Sequence, residues 1–220
     1  ADNVNLGVDA RWNVNRKLQF YGQFLIDDMN LAEISAGNGW FANRFAWQIG
    51  SKYLNAGGID NLDLQLEFNV VTPYTYAHFE DGLQYSNYQH YNQPLAHPLG
   101  ANFREVVGIV RYQPLKKLSL NARVIYADMG KDRPGENWGG DIFKDYVTRQ
   151  QDYGNELGQG LQERLFFGSF TASYQLHHNL FAELTAVYRQ LNSEGVAQNR
   201  DSRFLSFALR WNLPQRVFEY

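Results

Sequence analysis

Apolar and polar residues alternate with a period of two along most of this chain. In residues 3–13, Val4, Leu6, Val8, Ala10 and Trp12 share one parity, and Asn5, Asp9 and Arg11 share the other. Successive side chains of a strand point to opposite faces, so this segment reads as a strand with one greasy and one wet face. Residues 62–72 read the same way, with Leu62, Leu64, Leu66, Phe68 and Val70 set against Asp63, Gln65, Glu67 and Asn69. Seven more stretches follow the rule: 18–27, 40–53, 103–113, 118–127, 164–175, 180–191 and 203–213. Their apolar faces carry Phe20, Phe24, Phe41, Phe45, Trp47, Val106, Val110, Leu120, Val124, Phe166, Phe170, Leu184, Phe207 and Leu209, while Val107 and Ile109 blur the pattern in 103–113. Runs of about ten residues have the length of tilted strands that cross a bilayer. The prediction is an all-β, antiparallel, up-and-down transmembrane β-barrel with about nine strands in this chain.

The connections alternate between short and long. Residues 14–17, 54–61, 114–117 and 176–179 are short, whereas about 29–39, 73–102, 129–163 and 192–202 are long. Outer-membrane barrels pair short periplasmic turns with long external loops in this way. Trp12, Tyr53, Tyr112, Tyr174 and Trp211 all lie on the apolar parity beside a short turn or near the C-terminus, as a lower aromatic girdle would; Phe41, Tyr126 and Tyr188 are assigned to an upper one. The competing reading is a soluble antiparallel sandwich or lipocalin-like barrel, in which the apolar parity would be a core. Nine strands is an odd number, and the first runs toward a short turn. Residues 1–220 are therefore expected to be the C-terminal portion of a larger outer-membrane barrel.

Composition narrows the picture further. The 220 residues are 44% hydrophobic yet contain no apolar run long enough for a spanning helix. Tyr, Phe and Trp number 14, 15 and 5, and they supply the proposed girdles. Cysteine is absent, which removes disulfides and thiolate metal sites. A net charge of -3 gives no reason to expect a nucleic-acid partner. By parity, Asp9, Asp27, Asp63, Glu67, Glu105 and Glu183 face inward with Arg11, Arg44, Lys52, Arg111, Arg123, Arg189 and Arg210. Mixed signs favour pairing across strands over the single-sign ring of a selective pore.

One stretch is distinctive beyond pattern: Tyr91-Asn92-Gln93-Pro94-Leu95-Ala96-His97-Pro98-Leu99-Gly100-Ala101-Asn102-Phe103-Arg104-Glu105. It is preceded by Asp60-Asn61-Leu62-Asp63-Leu64-Gln65-Leu66-Glu67-Phe68-Asn69 and by Pro73-Tyr74-Thr75-Tyr76-Ala77-His78-Phe79. It is followed by Phe143-Lys144-Asp145-Tyr146-Val147-Thr148-Arg149 and Asp152-Tyr153-Gly154-Asn155. Together these segments resemble the C-terminal half of the Wzi-type capsule-assembly outer-membrane proteins of the Bacteroidetes, a family in which some members are called gliding motility protein RemB. The resemblance implies a large barrel that attaches or organises surface (capsular) polysaccharide, linked in some relatives to gliding motility or adhesion. Its implied partners are the outer-membrane bilayer, surface polysaccharide and cell-surface machinery proteins. It implies no catalytic residues.

The loop 73–102 is the candidate binding site. Tyr74, Tyr76, Tyr85, Tyr88 and Tyr91 alternate there with His78, His90 and His97, beside Asn92 and other amides. Aromatic rings suit the C–H faces of a sugar and amides suit its hydroxyls, the usual mixture of an apolar platform with a few placed polar groups. The plainer reading is that Pro94, Pro98 and Gly100 fold this loop over the lumen. The three histidines match no metal-site spacing, and the acidic second loop lacks a calcium-binding pattern, so no metal or cofactor is expected. His78, His90, Asp81 and Ser86 are close in sequence but form no nucleophile elbow, and no enzyme is expected. The second loop, 129–163, reads as a charged, solvated segment with a short helix over 141–149. An outer-membrane porin or substrate-specific channel is the alternative function.

Overall fold

In the computed structural model, residues 4–78, 87–195 and 200–212 are described. Nine long strands make one antiparallel sheet whose members neighbour one another in chain order. They are β1 (Leu6–Asn13), β2 (Leu18–Asp28), β3 (Arg44–Tyr53), β4 (Leu62–Val71), β7 (Phe103–Leu115), β8 (Leu118–Lys131), β9 (Leu161–His177), β10 (Leu180–Ser193) and β11 (Arg200–Trp211). A small hairpin, β5 (Gln89–His90) with β6 (Gln93–Pro94), lies inside the first long loop. The sheet is not closed: β1 and β11 are its two edges. Each predicted strand is present, with ends displaced by a few residues. The largest changes are at the start of β3, four residues later than expected, and at the end of β8, whose ladder with β9 continues through Lys131 and Leu161 into what the sequence assigned to loop.

The alternation sorts side chains as the period of two requires. Leu66, Leu184, Phe170, Phe207 and Leu209 stand exposed on one face, which is called the outer face here. Phe45, assigned to the same exposed set, is half-buried because its ring packs 6.1 Å from Phe24. The opposite, inner face is polar over most of its length. Near the long loops it becomes apolar: Ala46, Val71, Phe103, Ala127 and Met129 pack there with Tyr76, Ala101 and Ile142 from the loops. The buried core is therefore loop against inner face, and among the described residues no second sheet covers the outer one.

The register contains a further regularity. Trp12 opposes Phe20, which opposes Ser51, and Tyr53 lies two residues nearer the short-turn end. Tyr53 leads through Leu64 to Val110, and Tyr112 lies two residues lower again. The same drop of two separates Tyr112 from Tyr174 and Tyr174 from Trp211. The aromatic line thus falls by one residue per strand along the whole sheet. With a rise of about 3.4 Å per residue and strands about 4.8 Å apart, these five aromatics share one level when the strands tilt by about 35°. Tyr126 and Tyr188 obey the same slope, since the row through Tyr126 and Phe166 reaches Gln190, two residues above Tyr188.

Candidate functional site

The described parts of loops 73–102 and 129–163, called here the first and second loops, fold inward over the loop end of the inner face. The first is anchored at its start by Asp27 of β2 and Arg44 of β3. Asp27 accepts the backbone N–H of Tyr76 at 2.9 Å and lies 3.5 Å from Arg44, whose guanidinium donates to the Ala77 carbonyl at 2.5 Å. Its end is held by Asn102, which is fully buried. The Asn102 amide donates to the carbonyls of Gln159 (2.9 Å) and Gly130 (3.1 Å) and accepts the Gly158 N–H at 2.7 Å. One side chain thereby joins the first loop, the second loop and β8. A left-handed backbone (φ 58) places it, a conformation that asparagine tolerates better than most residues.

The second loop is solvated only in part, at residues such as Arg133, Asp152 and Glu156. Ile142 and Asn137 are buried, and the expected 141–149 helix is only a 3-10 turn at Tyr146–Thr148. Charge misled the reading because Lys144 is spent internally, on Asp132 at 2.8 Å and the Glu136 carbonyl at 2.7 Å. Its glycines permit close backbone approach. A Cβ on Gly139 would lie 2.5 Å from the Tyr74 nitrogen, and one on Gly130 would lie 2.1 Å from the Gln159 carbonyl. Phe41, assigned to the upper girdle, belongs to this packing. It lies outside β3, its ring is 5.7 Å from Tyr146, and the Arg149 guanidinium covers it at 3.7 Å.

The nine candidate binding residues separate into groups. Tyr74 is 1% exposed; its hydroxyl donates to the Asn137 carbonyl at 3.0 Å, and burial pushes its pKa up to about 12. Tyr76 is also buried, and burial raises its pKa too. Both are framework residues of the loop. His78 is half-buried near Tyr146, with its backbone N–H donated to the Asn87 side chain at 2.6 Å. His97 faces inward: its Nε2 lies 3.0 Å from Glu105, and its Nδ1 accepts the Leu99 N–H at 3.2 Å. That second bond leaves Nε2–H as the donor to the carboxylate. Tyr88 packs 5.8 Å from Tyr76 and keeps an exposed edge. His90, Tyr91 and Asn92 form the exposed tip of the β5–β6 hairpin. Tyr85 lies outside the described residues.

The hairpin tip is unusual in its chemistry. Tyr91 (φ 48) and Asn92 (φ 57) both take positive φ, the requirement of a two-residue hairpin turn that Asn and Gly normally fill. Tyrosine at such a position is strained and gains nothing from burial, since Tyr91 is 88% exposed. The His90 ring meets its edge at 4.3 Å. The result is an aromatic platform beside an amide.

Beneath the loops the inner face carries a hydrogen-bond lattice. The Tyr21 hydroxyl donates to Glu67 at 2.6 Å and accepts from Gln65 at 2.9 Å; Asn69 donates to Glu67 at 3.1 Å and to Glu105 at 2.8 Å. Farther along, Glu183 pairs with Arg210 at 2.8 Å. Among the inward charges assigned from parity, Arg44–Asp27 and Arg210–Glu183 form ion pairs, while Glu105 turns to His97 and Glu67 to uncharged partners. Sequence reasoning placed these residues inside but missed the cross-strand row they make, because a row needs the register as well as the parity. Among the described residues no three His, Asp or Glu side chains gather as a metal ion would need. No protein-family model matches the chain, and no curated protein matches it.

Proposed function

We propose that this chain forms part of a transmembrane barrel of the bacterial outer membrane that attaches or organises surface polysaccharide. The observation that carries the membrane half is the outer face. It is apolar, uncovered among the described residues, and edged by an aromatic line that stays level at one strand tilt, within the range of membrane barrels. Tyr126 stands six residues along β8 from Leu120, the partner of Tyr112, so the band between the two aromatic levels is about 20 Å tall at that tilt. The unpaired edges of β1 and β11 support a larger closed barrel, since open backbone groups in lipid cost several kcal/mol each.

The polysaccharide half rests on the strained hairpin tip and on the resemblance of residues 91–105 to capsule-assembly proteins. A sugar ring would stack on Tyr91 while Asn92 and His90 bond its hydroxyls. Inward-folded loops clasped by Asn102 weigh against an open diffusion channel, and single-channel conductance separates the two readings. Binding itself is tested with the full-length protein and purified capsular glycan. His90→Ala with Tyr91→Ala should weaken glycan retention while heat-modifiable migration, the sign of a folded barrel, is kept. Unchanged retention by the folded double variant would remove the hairpin from the function.

A further inference from the structure

A second pocket lies under the first loop, on the inner face, apart from the hairpin tip. Gln23, Gln48, Asn69 and Glu105 stand directly opposite one another across β2, β3, β4 and β7. Above this row, Tyr76, Tyr88 and the segment Leu95-Ala96-His97 leave a cleft of about 360 Å³. That falls in the lower part of the range of small-molecule sites, roughly 300–1,000 Å³. Its two sides differ in chemistry. Leu25, Val71 and the tyrosine rings make an apolar wall, and the amides of the row make a polar floor.

Most polar groups here are already occupied. Glu105 accepts from Asn69 and lies against His97, and Asn69 spends its amide on the two carboxylates. Among the described residues the side chains of Gln23 and Gln48 have no hydrogen-bond partner, although both line the cleft. Each offers two N–H donors and one carbonyl acceptor, so vicinal hydroxyls can both give to and take from it. No Lys or Arg lines the cleft. Glu105 stands behind the lining, opposite Asn69, so an anionic ligand would approach a buried carboxylate with no Lys or Arg on the lining to offset it.

We infer that this cleft binds one uncharged, hydroxyl-rich ring of pyranose size, with Gln23 and Gln48 reading its hydroxyls and the tyrosine wall covering its C–H face. The inference deepens the polysaccharide reading and rests on it for the source of the ring, a unit or chain end of the surface glycan. Its test uses folded full-length protein in detergent, with a panel of neutral methyl hexopyranosides and the matching uronic acids, read by saturation-transfer NMR and equilibrium dialysis. At least one neutral glycoside should bind saturably, and its uronate should bind at least about tenfold more weakly. Gln23→Leu with Gln48→Leu should weaken the neutral ring at least about tenfold, whereas Gly108→Ala, on the outer face away from both sites, should leave it unchanged. If the double leucine variant does not fold, Gln23→Ala at its exposed position makes the same comparison. No saturable binding of any neutral ring, or equal binding by the folded glutamine variants, overturns the inference. Loss of polymer binding in the hairpin variant and of the monosaccharide in the glutamine variant supports both readings. Monosaccharide binding without any polymer binding by the unaltered protein would sink the polysaccharide reading alone.

Discussion

The two faces of this one sheet share their backbone, register and strand lengths, and they solve opposite problems. On the outer face Leu66, Leu184, Phe207 and Leu209 stand exposed, with none of the described residues over them. On the inner face Tyr21, Gln65, Glu67, Asn69, Glu105 and His97 form a continuous run of hydrogen bonds, and near the loops Phe103, Met129 and Ile142 make a dry core. In water this arrangement is the wrong way round, because burying apolar area is the main favourable term in folding and the larger apolar surface is left outside. In lipid it is ordered correctly: the outer face has an apolar solvent, and every inner polar group that pairs avoids an unmet hydrogen bond.

The largest expected contrast comes from placing one charge on adjacent residues of β10. Leu184→Arg puts a cation in the middle of the outer band and should cost about 2–4 kcal/mol of folding free energy in vesicles. Thr185→Arg points inward, where the Thr171–Thr185 hydroxyl pair is the main loss, and should cost about 1 kcal/mol or less. Urea titration of folding into vesicles measures both, and equal costs would break the comparison.

Asn102→Ala tests the inner end. It strands the Gly158 N–H and the Gly130 and Gln159 carbonyls in a buried place, at about 1–3 kcal/mol for a buried group left unpaired. Hydrogen exchange should speed up across the second loop while the strand ladder keeps its protection. A uniform loss across all strands would mean that the loops hold the sheet together and are not a cap upon it.

A smaller effect should follow at Gly50, whose missing Cβ makes room for the Tyr21 ring; a Cβ there would lie 2.2 Å from the ring's Cζ. Gly50→Ala should push the ring aside, break its bond to Glu67 and cost about 1 kcal/mol. Gly108→Ala, on the outer face with nothing near its Cβ, is the matched control and should be close to neutral. Thermal unfolding of the two variants in detergent gives the comparison.

The smallest effect is alkaline. Burial raises the Tyr74 pKa from 10.0 to about 12. The folded state therefore holds the phenol proton over a range where the unfolded chain releases it, so this contribution is complete below about pH 10 and is lost as pH rises toward 12. Ultraviolet titration should show a late-ionising phase that loses one phenol in Tyr74→Phe while the phenol of buried Tyr76 remains in it. An unchanged late phase would place the buried phenol elsewhere.

Much of the strand pattern was legible because a period of two carries the face assignment without any tertiary information. Phe24, Trp47 and Leu205 could be placed by counting alone. What failed depended on contacts between distant segments. Phe41 has the right parity for a girdle, but Tyr146 and Arg149 draw it into the loop packing. The second loop is rich in charge, yet Asp132 and Lys144 neutralise each other and let Ile142 be buried. In the candidate site, residue type singled out the tyrosines, but only the fold separates buried Tyr74 and Tyr76 from exposed Tyr91. Gln23 went unmarked because a lone glutamine on a strand carries no signal until Gln48 and Asn69 are seen beside it.

The most direct test uses the chain's lack of cysteine. Single cysteines at positions 64 to 70 of β4 and 182 to 188 of β10, each carrying a nitroxide, report whether a side chain meets lipid or water. In the full-length protein reconstituted into vesicles, even-numbered sites on both strands should collide with dissolved oxygen and be shielded from a water-soluble nickel chelate. Odd-numbered sites should be shielded from oxygen. Accessibility to the nickel chelate at the even-numbered sites, or the same collision profile on both parities, would contradict the assignment of the outer face to lipid.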